Sequence, residues 1–124
     1  MGEALYDQVG GEEFFVRLVD LFYDAVEVDE VLRPMYPDDL SESKRHLALF
    51  LAQYWGGPRT YEAERGHPRL RLRHAPFQVT KRARDAWFSA MTSALDQLTA
   101  ELTSEQYDEL VGYFTMAATQ MRNV

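Results

Sequence analysis

The stretch EEFFVRLVDLFYDAVE, residues 12–27, decides the class of fold. Phe14, Leu18, Leu21, Phe22 and Ala25 form one apolar stripe at helical spacing, and Val16, Val19, Tyr23 and Val26 form a second. Arg17, Asp20, Asp24 and Glu27 leave only a narrow charged edge. A helix apolar over most of its circumference is buried on more than one side, so this one belongs in the middle of the fold.

Working outward, a short helical turn is expected around Val31, Leu32 and Met35, closed by Pro37. The next helix is expected to start at Asp39, with Glu42 three residues on as in a capping box. It buries Leu47, Phe50, Leu51 and Tyr54 and stops at Gly56, Gly57 and Pro58. Thr80 caps a helix that carries Ala83, Trp87, Met91, Ala94, Leu95 and Leu98 inward. Thr103 and Gln106 make a second capping box, followed by the stripe Tyr107, Leu110, Val111, Phe114, Ala118 and Met121. Between Gly56 and Val79 helical periodicity lapses. RLRLR at 69–73 alternates like a strand but has no second strand to pair with, so the segment reads as loop with a turn or two of helix. The class is all-α, and residues 1–124 are expected to form one domain.

Composition excludes several functions. The chain is 46% hydrophobic and 27% charged, which places it with globular rather than disordered proteins. No apolar run approaches the roughly 18 residues of a membrane span. MGEALYDQVGGEEF lacks the basic start and apolar stretch of a signal peptide, so a cytoplasmic location is expected. With no cysteine there are no disulfides, thiolate metal sites or cysteine nucleophiles. The net charge of −7 argues against general nucleic-acid binding, which depends on neutralising phosphates. HExxH, GxSxG and a phosphate-cradling glycine loop are all missing, which makes a hydrolase a weak reading.

The charge is unevenly spread. Residues 59–84 hold eight basic residues against Glu62 and Glu64, while the remainder holds five basic against 18 acidic. Such a segment either rests against the protein's own acidic helices or attracts an anion. Within it, GHPRLRLRHAPF at 66–77 carries two of the three histidines. His67, held extended before Pro68, reads as a turn residue. His74 stands among Leu70, Leu72 and Phe77 and is flanked by Arg71 and Arg73, so it reads either as a loop residue or as a ligand. His46 borders an apolar stripe and reads as an amphipathic edge residue.

Tyr23, Tyr36, Tyr54 and Trp87 fall on or beside apolar stripes. They read either as core aromatics with locally bonded tips or as donors around a polar spot in an apolar cavity. Haem would unite these features: histidine for iron, basic residues for propionates, apolar walls, and donors for a ligand.

The run QYWGGPRTYEAERGHPRLRLRHAPF, residues 53–77, resembles the central segment of group II truncated haemoglobins. The likeness continues through VGG at 9–11, LFYDAV at 21–26, VLRPMYPDDL at 31–40 and RDAW at 84–87. The resemblance implies a shortened globin, a two-over-two helical sandwich with a long irregular segment before the iron ligand. It implies haem b as cofactor, with His74 as the proximal ligand through Nε2. Tyr23, Tyr36 and Trp87 match the distal positions that face a bound ligand. Leu47, Phe50, Leu51, Phe77 and Met91 match pocket walls, and Arg73, Tyr61 and Arg71 fall near the propionates. Ser43 falls where many globins place a distal histidine or glutamine and where this group usually carries a small residue.

The implied function is reversible binding of oxygen, with carbon monoxide and nitric oxide as further diatomic ligands. A ligand that takes partial negative charge is held by positioned N–H and O–H donors, which favours slow release. That behaviour suits sensing or ligand chemistry, such as nitric oxide or peroxide detoxification, better than bulk oxygen transport. The sequence carries no flavin or nicotinamide motif, so enzymatic turnover would need an external reductase. The alternative is a haem-free, globin-derived helical module that binds a partner through its basic surface. The visible spectrum separates the two readings. A Soret band that weakens or shifts in His74→Ala is expected of the haem protein, and its absence from the purified protein would favour the module.

Overall fold

Residues 3–69 and 78–123 are described in the computed structural model. Six α-helices occur among them: α1 Leu5–Gln8, α2 Glu12–Glu27, α3 Ser41–Tyr54, α4 Thr60–Arg65, α5 Lys81–Asp96 and α6 Ser104–Met121. Short 3-10 turns lie at Arg33–Met35 and Thr99–Glu101, and no strand is present in the described residues.

The expected central helix has the expected bounds. Phe14, Phe15, Leu18, Val19, Phe22, Tyr23 and Val26 of α2 are buried, a set too broad for a single face. The helix packs against both α3 and α5, and α5 in turn packs on α6. The two pairs make a two-over-two sandwich whose shared core is α2. Each large side chain that α2 removes fully from water contributes about 1.5–3 kcal/mol, so this helix anchors both layers. Phe22 spans the junction, its ring centroid 5.5 Å from that of Trp87 on α5. Val16, assigned to the second stripe, is instead 41% exposed. It lies next to Arg17 on the edge that faces water.

The helix ends follow local chemistry. Thr80 Oγ1 accepts the backbone N–H of Ala83 at 3.1 Å and starts α5. The Thr103–Gln106 box is complete, with bonds of 3.0 and 3.1 Å in the two directions. At α3 the outcome differs. Asp39 lies ahead of the helix, and its Oδ1 accepts from the Ser41 backbone at 2.9 Å and the Ser41 hydroxyl at 2.7 Å. An aspartate bonded two residues onward forms a local turn, so the box expected with Glu42 is not made and α3 begins at Ser41. Tyr54, expected to be buried at the end of α3, is 49% exposed and rests its ring on Phe50, Trp55 and Tyr113.

The glycine pair after α3 brings the chain's beginning against this end. Tyr6 N–H donates to the Trp55 carbonyl at 3.0 Å. A Cβ on Gly57 would sit 2.6 Å from the Tyr6 ring and 2.8 Å from the Ala52 carbonyl, so no larger residue fits that crossing. The helical turn expected in the following loop is α4. Asn123 closes the far end, its backbone and side chain bonding Val79 at 2.9 Å each. Among the described residues no helix is long and apolar enough to cross a membrane.

Because Thr103 satisfies an otherwise orphaned N–H of α6, Thr103→Ala is expected to cost about 1 kcal/mol and lower Tm by about 4 °C. Thermal unfolding followed by circular dichroism measures it.

Candidate functional site

Between the two layers lies a cavity of about 570 Å³. Its walls are largely apolar: Leu32 and Met35 from the turn after α2, Leu47, Phe50 and Leu51 from α3, Val79 and Ala83 at the start of α5, and Phe114, Ala117, Ala118 and Met121 from α6. No charged or amide side chain among the described residues is fully buried. The polar part of the lining is made by a few aromatic tips and one serine, together with His46, Arg65 and Arg84.

Those tips converge. Tyr23, Tyr36, Ser43 and Trp87 all line the cavity, although they come from α2, the following turn, α3 and α5. Tyr23 and Tyr36 meet edge to face, their centroids 5.5 Å apart. Side-chain hydrogen bonds link Tyr23 to Ser43 and Tyr36, and Tyr36 to Trp87. An indole N–H can only donate, so Trp87 donates to the Tyr36 oxygen. Burial, then the neighbouring Tyr36, pushes the Tyr23 phenol far above its ordinary value. Burial likewise pushes Tyr36 up to about 12, against the hydrogen bonds from Trp87 and Tyr23 that lower it. Both phenols are thus neutral at physiological pH and keep their O–H as donors.

The turn that presents Tyr36 is clamped on both sides. Asp29 Oδ1 accepts from Val31 and Leu32 N–H at 2.8 and 2.9 Å, closing the chain after α2. The Arg33 guanidinium then donates to the carbonyls of Tyr36, Pro37 and Asp38 at 3.4, 3.1 and 3.0 Å.

A second polar group lies where α3 meets α4. His46 and Arg65 line the cavity, with Arg65 Nη1 2.8 Å from His46 Nδ1. A guanidinium only donates, so Nδ1 accepts and the imidazole is neutral. Burial, with Arg65 and Arg45 nearby, holds His46 below its usual value. The Arg65 guanidinium also lies 5.9 Å from the Tyr61 ring centroid. Arg45 and Glu64 join α3 to α4 through two bonds of 2.6 Å.

Of the residues singled out by sequence, Tyr23, Tyr36, Trp87, Leu47, Phe50, Leu51 and Tyr61 line this one cavity. Met91 is fully buried in the core and is not part of the cavity's lining. His74, Arg71, Arg73 and Phe77 lie outside the described residues. His67 Nδ1 accepts the Arg69 backbone N–H at 3.1 Å, a turn-forming bond. Sequence reasoning read His46 as an edge residue and gave no site role to Arg65, Arg84 or Tyr113, all four of which also line the cavity. Two signals could have found them: His46 stands one turn beyond Ser43, and Tyr113 is in register with Ala117 and Met121.

The model of the family described as "Bacterial-like globin" matches residues 4–123. The chain belongs to that family, among its group II truncated haemoglobins. It is 42% identical over 120 residues to the group 2 truncated haemoglobin YjbI of Bacillus subtilis, covering 97% of this chain and 89% of that protein. Its fold is similar to that of a thermostable haemoglobin from Thermobifida fusca, with a TM-score of 0.95, 48% identity and 98% of each chain covered. It is also similar to the group II truncated haemoglobin from Bacillus anthracis, with a TM-score of 0.94 and 36% identity, covering 100% of this chain and 94% of that one. Membership of this globin family implies a haem cofactor and diatomic gas ligands.

The described residues fit that cofactor. A cavity of about 570 Å³ lies within the range of about 300–1,000 Å³ of cofactor and ligand sites. Its apolar aromatic walls suit a macrocycle, and Tyr23, Tyr36 and Trp87 add neutral donors to the same lining.

Raised phenol values make alkaline stability a test of this burial. The unfolded Tyr36 phenol ionises near pH 10, whereas the folded one holds its proton to about 12. Its contribution is therefore complete below pH ~10 and is lost as pH rises toward ~12. In urea titrations, stability is expected to fall across that window and to fall less steeply in Tyr36→Phe.

Proposed function

We propose that this truncated haemoglobin holds haem b in the cavity through His74 and binds oxygen reversibly beside Tyr23, Tyr36 and Trp87. What carries the reading is the convergence of three neutral donors from three separate elements on one apolar cavity. The bound haem would supply an iron centre for a diatomic ligand. Leu47, Phe50 and Leu51 would wall the macrocycle, and Tyr61, Arg71 and Arg73 would serve its propionates.

Tyr36 is the pivot of the donor set. It accepts from Trp87 and from Tyr23, which leaves its own proton to donate toward the contents of the cavity. Donation by its neighbours polarises that O–H and fixes its direction. Ser43 steadies Tyr23 in turn. A ligand carrying partial negative charge gains from this array, and the low dielectric of the surrounding walls strengthens each bond.

Each net hydrogen bond contributes about 0.5–1.5 kcal/mol, and about 1.4 kcal/mol is tenfold in an equilibrium constant. Tight binding and slow release follow, which suits sensing or the turnover of nitric oxide or peroxide with a separate reductase. Stopped-flow oxygen dissociation tests the proposal. Trp87→Phe, which keeps an aromatic side chain but removes the donor, is expected to speed release about two- to tenfold. Wild-type release as fast as that of an unassisted haem, or an unchanged rate in the variant, would remove the donor array from the explanation.

A further inference from the structure

Arg65 lines the cavity and is nevertheless exposed, so it stands where the cavity opens to solvent. It is the last residue of α4, whereas His46 belongs to α3. The 2.8 Å contact between Arg65 Nη1 and His46 Nδ1 therefore bridges two helices across the cavity mouth. Gly66 follows at φ +75°, with nothing within 4 Å of where a Cβ would stand, so the end of α4 has open space beside it.

Other contacts tie α4 to α3 independently of this bond. Arg45 and Glu64 form their two-bonded fork, the Glu62 N–H donates to Gln53 Oε1 at 2.9 Å, and the Tyr61 ring meets Phe50 with centroids 5.6 Å apart. Arg45 holds the Glu64 carboxyl below its usual value, so the fork survives mild acid. His46 is thus the member of the junction that titrates near neutrality. A proton on its Nδ1 removes the lone pair to which Arg65 donates and sets two cations in contact. The Arg65 side chain would then swing outward while the backbone of α4 stays in place.

We propose that His46 and Arg65 form a proton-released latch on the cavity mouth, closed while the imidazole is neutral and open once it is charged, so that acidification speeds the passage of small ligands. The identity of what passes rests on the haem reading above, whereas the latch rests on the contact itself.

The charged state has a partner of its own. Glu42 lies four residues before His46 on α3, and an acidic residue N-terminal to a cation at this spacing is stabilising. Among the described residues, the charges that act on His46 are Arg65 and Glu64 from α4 and Glu42 and Arg45 from α3. The α2 helix, which also packs on α3, adds none to that set. Burial first, and then Arg65, hold the imidazole below its ordinary value. The latch is therefore fully closed above the ordinary histidine value of about 6.5 and opens as pH falls below it.

Two readouts taken from about pH 8 to about pH 5 test the latch. One is NMR titration of the His46 imidazole in the protein saturated with carbon monoxide. The other is carbon monoxide association after flash photolysis, since an uncharged ligand that gains little from the donors reports on passage. Wild type is expected to titrate below about 6.5 and to gain about three- to tenfold in association rate across that midpoint. Arg65→Met, which keeps the side chain's reach but carries no donor, is expected to raise the midpoint toward the ordinary value and to associate fast at every pH. His46→Asn, whose Oδ1 still accepts from Arg65 but takes up no proton in this range, is expected to stay slow throughout. A midpoint unmoved in Arg65→Met, or a pH-dependent rate that survives in His46→Asn, would overturn the latch and leave the haem reading intact. A purified protein without a Soret band would overturn the haem reading, and the imidazole titration alone would then decide the latch.

Discussion

Everything in this fold depends on a helix that shows water only a narrow edge. Phe14, Phe15, Leu18 and Phe22 of α2 are all fully buried, so α2 can be satisfied only by neighbours on more than one side. That demand brings α3 and α5 against it and sets the separation of the two layers. The cavity occupies what they leave open. Tyr23 stands directly after Phe22, which is why a residue of the central helix also reaches the cavity.

The cavity's chemistry follows from the same burial. A core without ionised side chains has a low dielectric, and in it phenols stay protonated and their hydrogen bonds strengthen. Tyr23, Tyr36, Ser43 and Trp87 therefore form a chain of neutral donors. The clamp of Arg33 on three successive carbonyls holds the turn in which Tyr36 sits. The aromatic contacts that run outward through Phe114, Tyr113 and Tyr54 extend the same packing to the surface.

Much of the helical layout was legible in the chain. Thr80 and Thr103 cap where expected because a cap bond spans only three residues and is decided locally. Asp39 misled because its carboxylate had a nearer partner in Ser41, a competition that the spacing of Asp39 and Glu42 does not reveal. Val16 and Tyr54 misled for another reason. Periodicity identifies an apolar face, but whether anything covers its first or last turn depends on where the neighbouring helix ends. His46 reads as an ordinary edge residue until α4 folds back and sets Arg65 against its ring.

The sequence by itself determined the long helices, the caps at Thr80 and Thr103, the breaks at Gly56 and Gly57, and the likeness to the globin family, because these rest on interactions a few residues long or on an ordered string of motifs. Only the tertiary structure decided that Tyr23, Tyr36, Ser43 and Trp87 share one cavity, and that Tyr113 and Tyr54 carry its wall to the surface. Those side chains come from four helices and a turn, up to 90 residues apart in the chain. Their meeting is fixed by how the layers pack around α2, and no local pattern encodes that distance.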